Sequence, residues 1–145
     1  MHSLIVEAYL TDSVHDVSII KITPSNSMVE LGDKINITVT AKNLGIENES
    51  FNVNLYCNET LIGTQPVTGL SPNQEFSTIF VWDTTNQISG DYILRAEAEP
   101  VANETNLANN IYVHGKIEVK TSFSTNPIAM VMLHACMHAH ILFIF

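Results

Sequence analysis

The chain has 145 residues, enough for one domain with length left over at each end, and its 46% apolar content can build a core without a disulfide or metal to rescue it. Only 14% of residues are charged, and 15 acids against 6 Lys and Arg give a net charge of −9. That field repels phosphate backbones and anionic lipid heads, which argues against nucleic-acid binding, and it suits solubility, a divalent cation or a basic partner surface.

At the N-terminus, Leu4-Ile5-Val6 is too short for a signal peptide, is interrupted by Glu7 and follows no basic segment. An exported protein with this start is expected to be a fragment or to lack its true beginning. From Asp16 to Lys120 apolar and polar residues alternate in short bursts divided by turn residues, the pattern of half-buried antiparallel strands. Val17, Ile19 and Ile22 make the first burst, closed by Thr23-Pro24-Ser25-Asn26. A short edge piece from Met28 to Leu31 precedes the Gly32-Asp33 turn. Ile35, Ile37, Val39 and Ala41 then alternate with Asn36, Thr38, Thr40 and Lys42, a period of two that predicts a strand.

Beyond Asn43-Leu44-Gly45, the residues Phe51, Val53 and Leu55 repeat the pattern, and Asn58-Glu59-Thr60 turns the chain into Leu61 to Val67. Pro66 cannot donate to a ladder, so that strand is expected at a sheet edge. After Gly69-Leu70-Ser71-Pro72-Asn73 come Phe76, Thr78, Phe80 and Trp82 on one face, with Trp82 the largest body of the core. Gly90-Asp91 leads to Tyr92, Leu94, Ala96 and Ala98. The last strand, about Tyr112 to Lys120, offers Val113, Ile117 and Val119 to the interior. Seven principal strands with no helix between them predict a two-sheet sandwich, with a closed barrel as the rival.

Several of these segments resemble the CARDB family, the cell-adhesion-related domains of bacterial and archaeal surface proteins. They are Asp16-Val17-Ser18-Ile19, the stretch Asn36 to Gly45 with its N-x-G turn, Leu61-Ile62-Gly63-Thr64-Gln65, the F-x-W of Phe80-Val81-Trp82 followed by Gly90-Asp91-Tyr92, and the N-E … N-N loop Asn103 to Asn110. The resemblance implies an immunoglobulin-like fold without catalytic activity, often in tandem arrays; with the strand pattern it makes the expected fold class all-β, a seven-stranded immunoglobulin-like antiparallel β-sandwich, followed by an apolar C-terminal tail. It transfers no active-site residue. Residues 16–120 are the expected sandwich. Residues 1–15 are either the last strand and linker of a preceding repeat or a loose extension. Residues 121–145 are a linker and tail.

Four glycosylation sequons begin at Asn36, Asn48, Asn58 and Asn103; the last three fall in predicted turns, and Asn36 on the outward face of its strand. The Asn103–Asn110 loop, with Glu97 and Glu99 nearby, offers oxygen ligands to calcium, against the plainer reading of asparagines that cap backbone amides. No serine sits in a nucleophile elbow, His15 and His114 have no evident acid or nucleophile partner, and there is no glycine-rich phosphate loop. Asp83 and Asp91 flank a turn and are read as solvated acids rather than a catalytic pair. Cys57 and Cys136 form no disulfide framework.

The tail from Ile128 to Phe145 holds no Asp, Glu, Lys or Arg and as a helix would span about 27 Å, close to a bilayer's hydrocarbon core. A membrane anchor is one reading, opposed by three histidines and the lack of a basic flank. A metal site from His134, Cys136, His138 and His140 is a second, and a misread gene end a third. The expected role is that of a non-catalytic extracellular adhesion or spacer module, meeting other surface-protein domains or envelope components. A filament subunit that assembles by adding a terminal apolar strand, Leu4–Leu10 or Ile128–Phe145, is the alternative. A carbohydrate-binding module would need an aromatic platform, for which Tyr56 and Tyr112 are too few.

Overall fold

A computed structural model of the chain describes residues 13–121. Eight strands run in order: β1 Val17–Pro24, β2 Met28–Glu30, β3 Lys34–Asn43, β4 Glu49–Cys57, β5 Thr60–Leu70, β6 Glu75–Asp83, β7 Gly90–Ala98 and β8 Ile111–Lys120, with a 3₁₀ turn at Ala108–Asn110. They form two sheets, β1-β3-β6 and β2-β8-β7-β4-β5. Alternation decides which side of each strand is buried. In β3 the inward set Ile35, Ile37, Val39 and Ala41 is sealed, and Phe51, Val53 and Leu55 of β4 and Leu94, Ala96 and Ala98 of β7 face them from the other sheet. Trp82 lies in this core edge-on to Tyr92, with ring centroids 5.2 Å apart. The Tyr92 hydroxyl donates to Ile88 O at 2.6 Å and accepts from Ile88 N at 3.2 Å, closing the corner that leads into β7.

Pro66 does lie on an edge strand, since among the described residues β5 pairs only with β4. The β4–β5 hairpin turns on Asn58 and Glu59, whose φ of 45° and 69° make a two-residue turn that matches the sheet twist. Thr84, fully buried, donates its hydroxyl to Asp33 O at 2.7 Å and accepts from Gly32 N at 2.9 Å, so the β2–β3 turn is pinned to the end of β6.

Four expectations are corrected. There are eight strands rather than seven, because the Met28 piece is a true strand, and the sandwich is not wholly antiparallel: β2 pairs in parallel with β8, Met28 opposite Glu118. The chain leaves sheet one after Pro24 and crosses to the edge of sheet two, running alongside β8 in the same direction. Val113 is 60% exposed instead of inward. The β7–β8 register slips between Ile93 and Arg95, placing an extra β8 residue in the ladder, so Ile117 and Val119 face in while Val113 swings out. For the same reason Tyr112 is half-buried against the core instead of projecting as an outward aromatic. A similar slip between Ile19 and Lys21 explains why Val17, Ile19 and Ile22 are all buried despite unequal spacing.

Cys57 is buried at the end of β4 and is unpaired among the described residues. Burial pushes its thiol from 9.0 up to about 12, because the thiolate loses its hydration. The folded state therefore holds the neutral thiol more strongly than the unfolded chain does. That contribution is fully present below pH 9 and is lost as pH rises towards 12. Alkylation of Cys57 at pH 8.5 is expected to be at least about 100-fold slower in the native protein than in denaturant. Peptide mass spectrometry over time reads it, and equal rates would place the thiol at the surface.

Candidate functional site

Loops that carry chemistry-bearing side chains gather where β1 and β8 begin and β3 and β7 end. Asn43 closes β3 with a fully buried side chain: Nδ2 donates to Glu47 O at 2.7 Å and Leu70 O at 2.8 Å, and Oδ1 accepts from Gly45 N at 2.9 Å. Gly45 is required beside it, since a Cβ there would sit 2.4 Å from Val14 O. Leu44 N donates to Asp16 O and Ile46 N to Val14 O, carrying the β1–β3 ladder past the strand ends.

Glu104 ties the β7–β8 loop to this clamp. Its Oε1 accepts from Val17 N at 2.8 Å, and its Oε2 from Val101 N at 3.1 Å and Asn110 Nδ2 at 3.0 Å. Asn110 Nδ2 also donates to Ala98 O at 3.2 Å, and Asn109 Nδ2 donates to Asp16 Oδ1 at 2.9 Å. Asn103 adopts φ 65°, a conformation asparagine tolerates, to let the loop double back. The buried Oδ1 atoms of Asn109 and Asn110 have no hydrogen-bond partner.

Glu97 and Glu99, expected to serve this loop, are engaged elsewhere. Glu99, just past the end of β7, accepts from Asn52 at 3.2 Å and Asn54 at 3.0 Å, and Glu97 within β7 accepts from Arg95 at 3.3 Å. His15 does have an acid partner: its Nδ1 contacts Glu49 Oε1. The two lie 34 positions apart, a pairing that only the fold creates. The contact joins the entry segment to β4.

On the outer face of the larger sheet, Arg95 lies over the Tyr56 ring at 4.3 Å and reaches Glu59 and Glu97, beside the exposed Ile93 and Val113. Asp83 and Asp91 are held separately. The Thr85 hydroxyl, then the Thr85 amide, donate to Asp83 and keep its carboxyl below the usual range, helped by the Lys34 charge, while Asp91 meets Lys116 at 3.2 Å. Asn36, Asn48, Asn58 and Asn103 are all exposed. The Asn58 side chain is occupied, however, accepting from Ile93 N at 2.8 Å and donating to Asp91 O at 3.4 Å. His134, Cys136, His138 and His140, with the whole 128–145 tail, lie outside the described residues, as does Leu4–Leu10. Among the described residues no helix is long and apolar enough to cross a membrane, and no three His, Cys, Asp or Glu side chains cluster to share a metal.

The strand order β1-β3-β6 against β8-β7-β4-β5, with the tyrosine corner at Tyr92, defines an immunoglobulin-like β-sandwich. The CARDB family model matches residues 15–114, more than two thirds of the sequence, and the chain belongs to that family. A CARDB domain from Pyrococcus furiosus, solved in complex with two metal ions, is 27% identical with a TM-score of 0.63, over 75% of this chain and 91% of that one. A domain from Methanosarcina acetivorans, described as part of a cell surface protein, is 23% identical with a TM-score of 0.60, over 79% and 99%. A β-glucosidase from Erythrobacter marinus matches at 14% identity and a TM-score of 0.59, over 73% of this chain but only 16% of the enzyme, a likeness of fold alone. No curated protein matches the sequence.

Proposed function

We propose that the chain is a non-catalytic module of a cell-surface protein, working outside the cell as a spacer or as a contact domain for neighbouring surface-protein domains and envelope components. CARDB membership carries this reading. The hydrogen bonding supports it: Glu104, Asn43 and Thr84 each use side-chain atoms to hold backbone groups of the loops in place. Glycans, where the host attaches them, fall on Asn48 and Asn103 in open loops before Asn58, whose amide is already bonded.

Protease treatment of intact native cells tests the location. Peptides from residues 13–121 are expected in the supernatant while a cytosolic marker stays intact; recovery of these peptides only after lysis rejects a surface role.

One observation favours a second reading, assembly by strand addition. Among the described strands β6 has a hydrogen-bonded neighbour on one side only, and its outward Ile79 and Val81 are 57% and 55% exposed, with neither proline nor lysine within the strand. Deletion of 1–12 or of 122–145 separates the two: loss of an oligomer on either deletion supports strand donation, and an unchanged monomer removes it.

A further inference from the structure

We propose that the start of β1 and the β7–β8 loop together form a calcium site, in which Asp16 and Glu104 supply carboxylate oxygens and Asn109 and Asn110 supply amide oxygens. The observation that carries it is a pair of buried acceptors left without hydrogens. Asn110 is 2% exposed, its Nδ2 is seated on the Glu104 carboxylate and on Ala98 O, and its Oδ1 has no partner. The neighbouring Asn109 repeats the arrangement, with Nδ2 on Asp16 Oδ1 and a buried, unpartnered Oδ1. Both amides are oriented by the donors they give to the acidic groups, so neither can turn its oxygen to a protein donor without losing those bonds. A buried amide oxygen with no hydrogen on it needs a water or an ion.

The local charge favours the ion. Among the described residues neither Asp16 nor Glu104 forms an ion pair with a basic side chain. Glu49 and Glu97 lie towards the same end of the sandwich, and the basic groups near them, His15 and Arg95, are already committed to them. Oxygen capacity remains as well. Each carboxylate oxygen has two lone pairs; the hydrogen bonds use one on Asp16 Oδ1, one on Glu104 Oε1 and both on Glu104 Oε2. An all-oxygen set of two carboxylates and two amides, without sulfur or imidazole, selects a hard cation. Its irregular disposition on a loop and a strand entry suits calcium, which accepts variable geometry, over magnesium, which demands a near-ideal octahedron. Water and loop carbonyls complete the shell. The site also gives the loop a ligand-dependent stiffness, because all four donors fix the place where β1 enters the fold.

Calorimetric titration and thermal melts of the full chain test it, after EGTA treatment, with CaCl₂ and with NaCl and MgCl₂ at matched ionic strength. Saturable calcium binding is expected with a Kd of about 10⁻⁴–10⁻³ M, accompanied by a rise in melting temperature that NaCl does not reproduce. Asp16→Asn keeps an oxygen for Asn109 Nδ2 while removing the charge, so it is expected to fold as the parent does and to bind calcium at least about tenfold more weakly. Absence of saturable heat up to about 10 mM calcium overturns the site, leaving the two oxygens to water. Equal binding by the parent and Asp16→Asn overturns it too, since the effect would then be general charge screening. Neither outcome depends on where in the cell the protein works, so this result and the protease result can fail independently.

Discussion

Trp82→Ala is expected to destabilise the domain by about 3–5 kcal/mol, the loss seen when a large aromatic is deleted from a packed core. Trp82 is 5% exposed and is the largest body between the sheets, reached from β6 and met edge-on by Tyr92 of β7. No neighbouring side chain can follow it inward, because Tyr92 is fixed through its hydroxyl to Ile88 and the β3 residue opposite, Ile35, is held in the ladder. Against a typical total stability of about 5–15 kcal/mol the variant loses about a fifth or more. Thermal unfolding should show a midpoint lowered by at least about 10 °C. A double-mutant cycle with Tyr92→Leu isolates the ring pair, with an expected coupling of about 0.5–1.5 kcal/mol. A fall of less than about 1 kcal/mol for Trp82→Ala would mean that the indole is not the keystone of this core.

Asn43→Ala is expected to cost about 3 kcal/mol, far more than the change in side-chain volume would suggest. The amide satisfies Gly45 N, Glu47 O and Leu70 O from a fully buried position, and alanine leaves all three without that partner. Each buried group so stranded costs about 1–3 kcal/mol, reduced here by relaxation of the β3–β4 loop. Asn43→Asp is the informative companion. It keeps the acceptor for Gly45 N but turns a carboxylate oxygen towards two carbonyls, so it should be no more stable than the alanine variant near neutral pH. Equilibrium unfolding of both variants checks the ranking; an aspartate variant close to the parent would show that the two carbonyls do not rely on Nδ2.

The main features of the fold could be read from the pattern of side chains alone, because β3, β4, β6 and β7 alternate cleanly and alternation is local. What escaped was non-local. A register slip moves no residue in the sequence, yet it turned Val113 outward and Tyr112 inward. The parallel pairing of β2 with β8 joins segments 90 positions apart, and no three-residue strand announces its partner. The Asn103–Asn110 loop was visible as polar and asparagine-rich. Its acid partner was misassigned to Glu97 and Glu99, which are near in sequence, whereas Glu104 reaches Val17 N and Asn109 reaches Asp16, 87 and 93 positions away. His15 and Glu49 were legible as residues but not as a pair, for the same reason.

The directions of β1 and β8 have a mechanical consequence. Val17 lies opposite Asn43 where β1 begins, and Val119 lies opposite Gly90 where β8 finishes, so the domain is entered at one pole and left at the other, about 30 Å away for a ten-residue strand. Tension applied through the two flanks therefore runs along the strands and loads the β1–β3 and β2–β8 hydrogen bonds together, in shear, instead of unzipping them one by one. Joined end to end, such units would form a tether in which the load enters each domain at the clamp of Asn43 and Glu104.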